Sequence, residues 1–180
     1  MWIEGENNNI LVLDMDGTIA DTYNYPDWAG VLRGHVANPW TECGIVNPDE
    51  VYEMFINVRP MITCNELEWF CGNWDETVVW SMAPWDATPE VEEMTVRAKL
   101  EWLRRYFPFL TKNVLITKHQ DNKNFVAEGD IIYSDISFEG TGSHWWSPGE
   151  NDTLVDDNEA LLKSFIGKSM LPPWANRLKL

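Results

Sequence analysis

The feature that most constrains this chain is a short apolar run, Ile10-Leu11-Val12-Leu13, that stops abruptly at Asp14-Met15-Asp16-Gly17-Thr18. Four consecutive apolar residues bounded by a turn signal predict a strand buried on both faces, which is the pattern of a parallel sheet covered by helices. Two carboxylates two positions apart on an extended segment point the same way. Like charges that close repel, and burying them without a cation is expensive. The pair is therefore a candidate site for a hard divalent ion, and oxygen ligands suit Mg²⁺. Gly17 allows a sharp turn behind it.

The rest of the chain agrees with an α/β fold. Thr77–Trp80, Val114–Ile116 and Ile131–Tyr133 read as further strands. Helices are predicted between and around them. Asn47-Pro48-Asp49-Glu50 has an N-cap followed by Pro at the first helical position, and Val51, Phe55 and Val58 share one face. Asn65–Cys71 runs into Gly72. Thr88-Pro89-Glu90 opens a long helix with Val91, Met94, Ala98 and Trp102 on one stripe, and a last helix is expected from Asp157 to Phe165. The tail from Ser169 is expected to be extended. Strands alternating with helices imply a Rossmann-like parallel sheet with helices on both faces. Residues 19–58, rich in Pro, Gly and Trp, read as a small helical cap inserted after the first strand. The core then comprises residues 1–18 and 59–180.

Charge narrows the partners. The net charge of -16 opposes nucleic-acid polymers and anionic membranes. It also opposes a small anionic substrate, so a phosphate site here must supply its own positive charge from a cation and lysine. Cys43, Cys64 and Cys71 form no CxxC pair and are expected to be reduced thiols. The first residues, MWIEGENNN, show no basic or apolar leader pattern, so a cytoplasmic protein is expected. Oligomeric state is not fixed by the sequence; a homodimer is one expected assembly.

In open α/β sheets the chemistry lies beyond the carboxyl ends of the strands. Asp14 and Asp16 end the first. Ser81 ends the second, where its hydroxyl and the backbone N–H groups from Met82 onward can hold a phosphoryl oxygen. The third runs into Thr117-Lys118-His119-Gln120-Asp121-Asn122-Lys123, either lysine of which can reach a phosphate. The fourth ends in Ser134-Asp135, an acid placed to complete a metal shell. Taken singly, each later position also suits an ordinary strand end or solvated loop; their order along the chain is the stronger signal.

With those residues in order, the chain resembles the haloacid dehalogenase (HAD) superfamily of phosphatases. Leu-Val-Leu-Asp14-Met-Asp16-Gly17-Thr18 looks like its first motif, Ser81 its second and Asp135 its fourth. For the third motif Lys123 is preferred over Lys118, because it lies twelve residues before Asp135. Thr117 to Lys123 is similar to a stretched Thr-x-Asp-Lys pattern of the 5'(3')-deoxyribonucleotidases. Arg59-Pro60-Met61 and Met82-Ala83-Pro84 add to that likeness. That family usually has two adjacent acids in the fourth motif, and Ser134 departs from it.

The resemblance implies a magnesium-dependent phosphomonoester hydrolase. Asp14 is the nucleophile and Asp16 the general acid and base. Asp14, Asp16 (through its carbonyl) and Asp135 hold Mg²⁺, and Ser81, Met82 and Lys123 hold phosphate. A nucleoside monophosphate is the expected substrate, with Tyr23, Trp28, Trp40, Phe55 and Trp85 as candidates to pack on its base. Each of these aromatics equally suits a core position, Phe55 above all. The alternatives are a phosphatase of another small metabolite, such as a sugar phosphate, and a non-catalytic nucleotide-binding protein on the same fold.

Overall fold

In the computed structural model, which describes residues 9–32, 46–136 and 147–175, Ile10–Leu13 is β1 and lies inside a six-stranded sheet. Chain order continues with α1 (Trp28–Val31), α2 (Pro48–Asn57), α3 (Cys64–Cys71), β2 (Glu76–Met82), α4 (Pro89–Tyr106), β3 (Asn113–Thr117), β4 (Ile131–Ile136), β5 (Thr153–Val155), α5 (Glu159–Ser164) and β6 (Lys168–Met170). The strand order is β4-β3-β2-β1-β5-β6. Every pairing is parallel except β3 with β4.

The unbroken apolar runs are explained by two cores. Leu11, Leu13, Val79, Val114 and Ile116 point to one face, against Trp102 and Leu103 of α4 and Leu67 of α3. Ile10, Val12, Val78, Trp80 and Leu115 point to the other, against Leu161 of α5 and Phe165. Alternate residues thus serve opposite faces, and neither face can be polar. The fold is a Rossmann-like, HAD-type α/β sheet with helices on both faces and a helical insertion after the first strand. No helix among the described residues is long and apolar enough to cross a membrane.

Local signals place the helices as expected. The Asn47 side chain accepts from the Asp49 N–H at the start of α2, and Thr88 accepts from Val91 N–H at the start of α4. Helix α2 packs on α4 through Val51, Met54, Phe55, Val91 and Ala98. The Trp102 indole N–H donates to the Val58 carbonyl (2.7 Å), tying the end of the insertion to α4. In α4 the inward stripe is Val91, Thr95, Ala98, Lys99, Trp102 and Leu103, whereas Met94 is only half-buried.

The sheet differs from expectation at both edges. Strand β4 runs antiparallel to β3. On the other side, β5 and β6 extend the sheet from a stretch where a helix and an extended tail from Ser169, but no strand, were anticipated. Cys64 and Cys71 are free thiols on α3, and burial pushes the Cys71 thiol up to about 11. Cys43, Trp40, Trp145 and Trp146 lie outside the described residues.

Candidate active site

The register of β1 and β5 builds the centre of the site. Leu13 pairs with Val155, so the next residues, Asp14 and Asp156, emerge side by side. The Asp14 N–H donates to the Val155 carbonyl (3.0 Å), which locks the two strand ends together. Asp157 follows. Carboxylate oxygens of Asp14, Asp156 and Asp157 all lie within 4.8 Å of one another.

The turn after Asp14 is held tightly. Gly17 has φ 78°, the left-handed region, and a Cβ there would collide with the Asp157 carboxylate and with the Tyr23 ring 2.7 Å away. The Thr18 hydroxyl lies 3.1 Å from Asp14 Oδ2 and 3.3 Å from Asp157 Oδ1, and can donate to either. The Thr18 carbonyl accepts from the Trp174 indole (2.6 Å), so the far end of the described chain braces this turn.

Among the described residues, the lysine that enters the acid cluster is Lys123. It is fully buried. Its ammonium donates to Asp14 Oδ1 (2.8 Å), Asp156 Oδ2 (2.9 Å) and the Trp80 carbonyl (3.0 Å). Lys118 is exposed, and its backbone N–H bonds to the Asp130 carbonyl.

Three carboxylates facing one ammonium leave the cluster under-neutralised. Burial, and then the neighbouring Asp156 charge, push Asp14 well above the ordinary carboxylate range despite Lys123. Burial and Asp156 likewise push Asp157 up to about 6. For Lys123, burial alone would lower the pKa; Asp14 and Asp156 outweigh it and hold the ammonium charged. Convergent, buried or half-buried hard oxygen donors with excess negative charge fit a divalent cation such as Mg²⁺.

Asp16 stands apart from this set. Its Oδ1 accepts from the Thr22 hydroxyl (2.6 Å) and its Oδ2 from Lys99 (2.6 Å). Lys99 also donates to Ser81 Oγ (2.7 Å) and to the Met82 carbonyl (3.0 Å). Ser81 is buried behind the cavity wall, whereas Met82 lines it.

Asp135 must be moved out of the site. Because β4 is antiparallel, Asp135 pairs with Val114 at the start of β3, near the opposite end of the sheet from Thr117, and it is exposed. The acids that join Asp14 are Asp156 and Asp157 at the end of β5. They form an adjacent pair.

A cavity of about 250 Å³ opens over the acids, lined among others by Asp14, Asp16, Lys123, Tyr23, Phe55 and Trp85. Trp28 touches it indirectly, edge-on to Tyr23 at 4.9 Å. Phe55 serves two roles at once, as a core residue of the α2–α4 contact and as cavity wall. Trp85 lies against His119, ring centroids 4.5 Å apart. Burial and the surrounding carboxylates, Asp16 foremost, raise the Tyr23 phenol far above its usual range, so it stays neutral.

Sequence reasoning missed Asp156, Asp157, Lys99 and Thr22, and placed Thr18 in the first motif without giving it a role. The first pair was signalled by Thr153-Leu154-Val155 ending in acids, a shorter copy of the Ile10–Leu13 pattern. Lys99 carried no clear signal, because a lysine on a helix is ordinarily solvated. No protein-family model and no curated protein matches this chain. Its likeness to HAD-type proteins is carried by the Rossmann-like sheet and by the acids, Asp14, Asp16, Asp156 and Asp157, gathered at its strand ends.

Proposed function

We propose that the protein is a magnesium-dependent phosphomonoester hydrolase that works through an aspartyl phosphate on Asp14, and that its substrate is a nucleoside 5'-monophosphate. The observation that carries the reading is the convergence of Asp14, Asp156 and Asp157 around buried Lys123 at the ends of neighbouring parallel strands. Asp14, Asp156 and Asp157 would hold Mg²⁺, which when bound screens an anionic carboxylate from an anionic phosphate.

Phosphate-monoester hydrolysis is so slow unaided that enzymes accelerate it by up to ~10²¹-fold, and splitting it into two displacements is one route. An Asp14 oxygen attacks phosphorus while the bond from phosphorus to the ester oxygen breaks. Asp16 gives that oxygen a proton. Asp16 then takes a proton from water as water attacks phosphorus, releasing inorganic phosphate and restoring Asp14. Lys123 orients Asp14 and neutralises phosphoryl charge beside it, and Met82, at the end of β2 and lining the cavity, is the candidate to bind a phosphoryl oxygen there. Tyr23, Phe55 and Trp85 give the cavity flat apolar walls, which favours a base over a sugar alone.

Hydrolysis of a panel of nucleoside and sugar monophosphates, with Mg²⁺ and with chelator, tests the reading. Cation-dependent release of phosphate, fastest from nucleoside monophosphates, is expected. Better turnover of sugar phosphates would overturn the substrate. No hydrolysis of any ester, with Mg²⁺ bound, would overturn the enzyme.

A further inference from the structure

Lys99 has no part in the acid cluster, yet it is fully buried near the middle of α4. Desolvating an ammonium costs several kcal/mol unless partners compensate. All three of its donor positions are filled by protein oxygens: Asp16 Oδ2, Ser81 Oγ and the Met82 carbonyl. The Phe55 ring of α2 covers it, 4.6 Å from Nζ to the ring centroid. Unlike Lys123, it does not line the cavity.

A lysine with every donor engaged and no cavity surface is not a ligand for phosphate. It acts through what it holds. Its strongest partner is Asp16, whose other oxygen is held by Thr22, so the carboxyl group is fixed at both ends while still lining the cavity. The same ammonium ties together the loop after β1, the end of β2, α4 and, through Phe55, helix α2 of the insertion.

We propose that Lys99 is a positioning residue for Asp16, holding that carboxyl where it can meet the ester oxygen of a bound phosphomonoester and linking that position to the seating of α2. The inference rests on the phosphatase reading above. Correct placement of a proton donor matters most where the leaving group is a poor one. An alkoxide such as a nucleoside 5'-oxygen needs the proton; p-nitrophenolate leaves readily without it.

The test is the steady-state hydrolysis of a deoxynucleoside 5'-monophosphate and of p-nitrophenyl phosphate by wild type, Lys99→Met, Asp16→Asn and the double variant, with Mg²⁺ present. Lys99→Met is expected to lower kcat on the nucleotide by ~100-fold, the scale of general-acid catalysis. Its kcat on p-nitrophenyl phosphate should fall less than about 10-fold, with KM little changed on either. Asp16→Asn should show the same split. Adding Lys99→Met to Asp16→Asn should cost less than about 3-fold more, because the two act as one unit. The double variant removes a charge from each side of the pair, so it remains informative if Lys99→Met alone does not fold.

Equal losses on both esters, a change confined to KM, or multiplicative losses in the double variant would each overturn the positioning role and leave the phosphatase intact. A wild type that hydrolyses neither ester would overturn both.

Discussion

Two buried lysines stand on either side of β1, and they solve opposite problems. Lys123 lies between two carboxylates, Asp14 and Asp156, with a third, Asp157, close by. Lys99 meets one carboxylate and two neutral oxygens. The Lys99 side sets one ammonium against one carboxylate, and of that pair only Asp16 opens to the cavity. The Lys123 side has more negative charge than its lysine can neutralise, and the excess appears as raised pKa values at Asp14 and Asp157. Under the proposed function the difference separates the roles: one side would take a cation and an anionic substrate, and the other would hold Asp16 in place.

The largest expected effect breaks the comparison at its centre. Asp14→Asn should lower kcat by about 10⁴-fold or more, as loss of a nucleophile does in comparable machinery. The cation-free variant should nevertheless unfold at a higher temperature than wild type, because one of three crowded acids has lost its charge. Measured by thermal unfolding, a fall instead would mean that the cluster is not under-neutralised.

Second, Lys123→Met strands two carboxylates, Asp156 at 1 % exposure and Asp14 at 13 %, and should cost about 3–5 kcal/mol in urea unfolding. Lys99→Met strands only Asp16, whose side chain is 18 % exposed and can reach water, and should cost about half as much or less. Equal costs would erase the distinction between the two sides.

Third, Mg²⁺ at 100 times its Kd should stabilise the wild type by about 2.7 kcal/mol. Asp157→Asn should lose most of that gain, whereas Asp135→Asn should keep all of it. A response to Asp135→Asn would restore that residue to the site.

The smallest effect concerns pH. Asp157 has an ordinary value of 3.8 and is raised to about 6 in the fold, so between these values the folded state binds more protons than the unfolded. The sign is therefore negative: cation-free stability should fall as pH rises through that window, and Asp14 acts in the same direction. Melting temperature should drop by a few degrees from pH 4 to pH 6 in the wild type, and by less in Asp157→Asn. With Mg²⁺ saturating, the trend should weaken, since the ion favours the ionised acids.

The same contrast shows what the sequence could reveal. Lys123 was preferred over Lys118 for its spacing from Asp135, an acid that lies elsewhere, so the residue reaches the cluster although that reason for choosing it fails. Asp14 and Gly17 were legible because local pattern identifies them, and the helix starts at Asn47 and Thr88 were legible from their caps. The fourth acid was not. Apolar periodicity cannot tell a parallel strand from an antiparallel one, so Asp135 was placed at the wrong end of the sheet. It also cannot give strand order, and Asp156 reaches Asp14 only because β5 docks beside β1 across more than a hundred residues. A three-residue strand is a weak signal until its neighbour is known. Lys99 was hidden for another reason: a lysine on a helix is ordinarily solvated, and only tertiary packing shows that this one is sealed beneath Phe55.

The central claim is that Asp14 is the nucleophile, and it is tested most directly by acid-quenched reaction with a ³²P-labelled nucleoside monophosphate. The account predicts radiolabel on the protein, mapping to the peptide that contains Asp14, dependent on Mg²⁺ and absent from Asp14→Asn. Steady turnover with no label on the protein, or label that persists in Asp14→Asn, would contradict it.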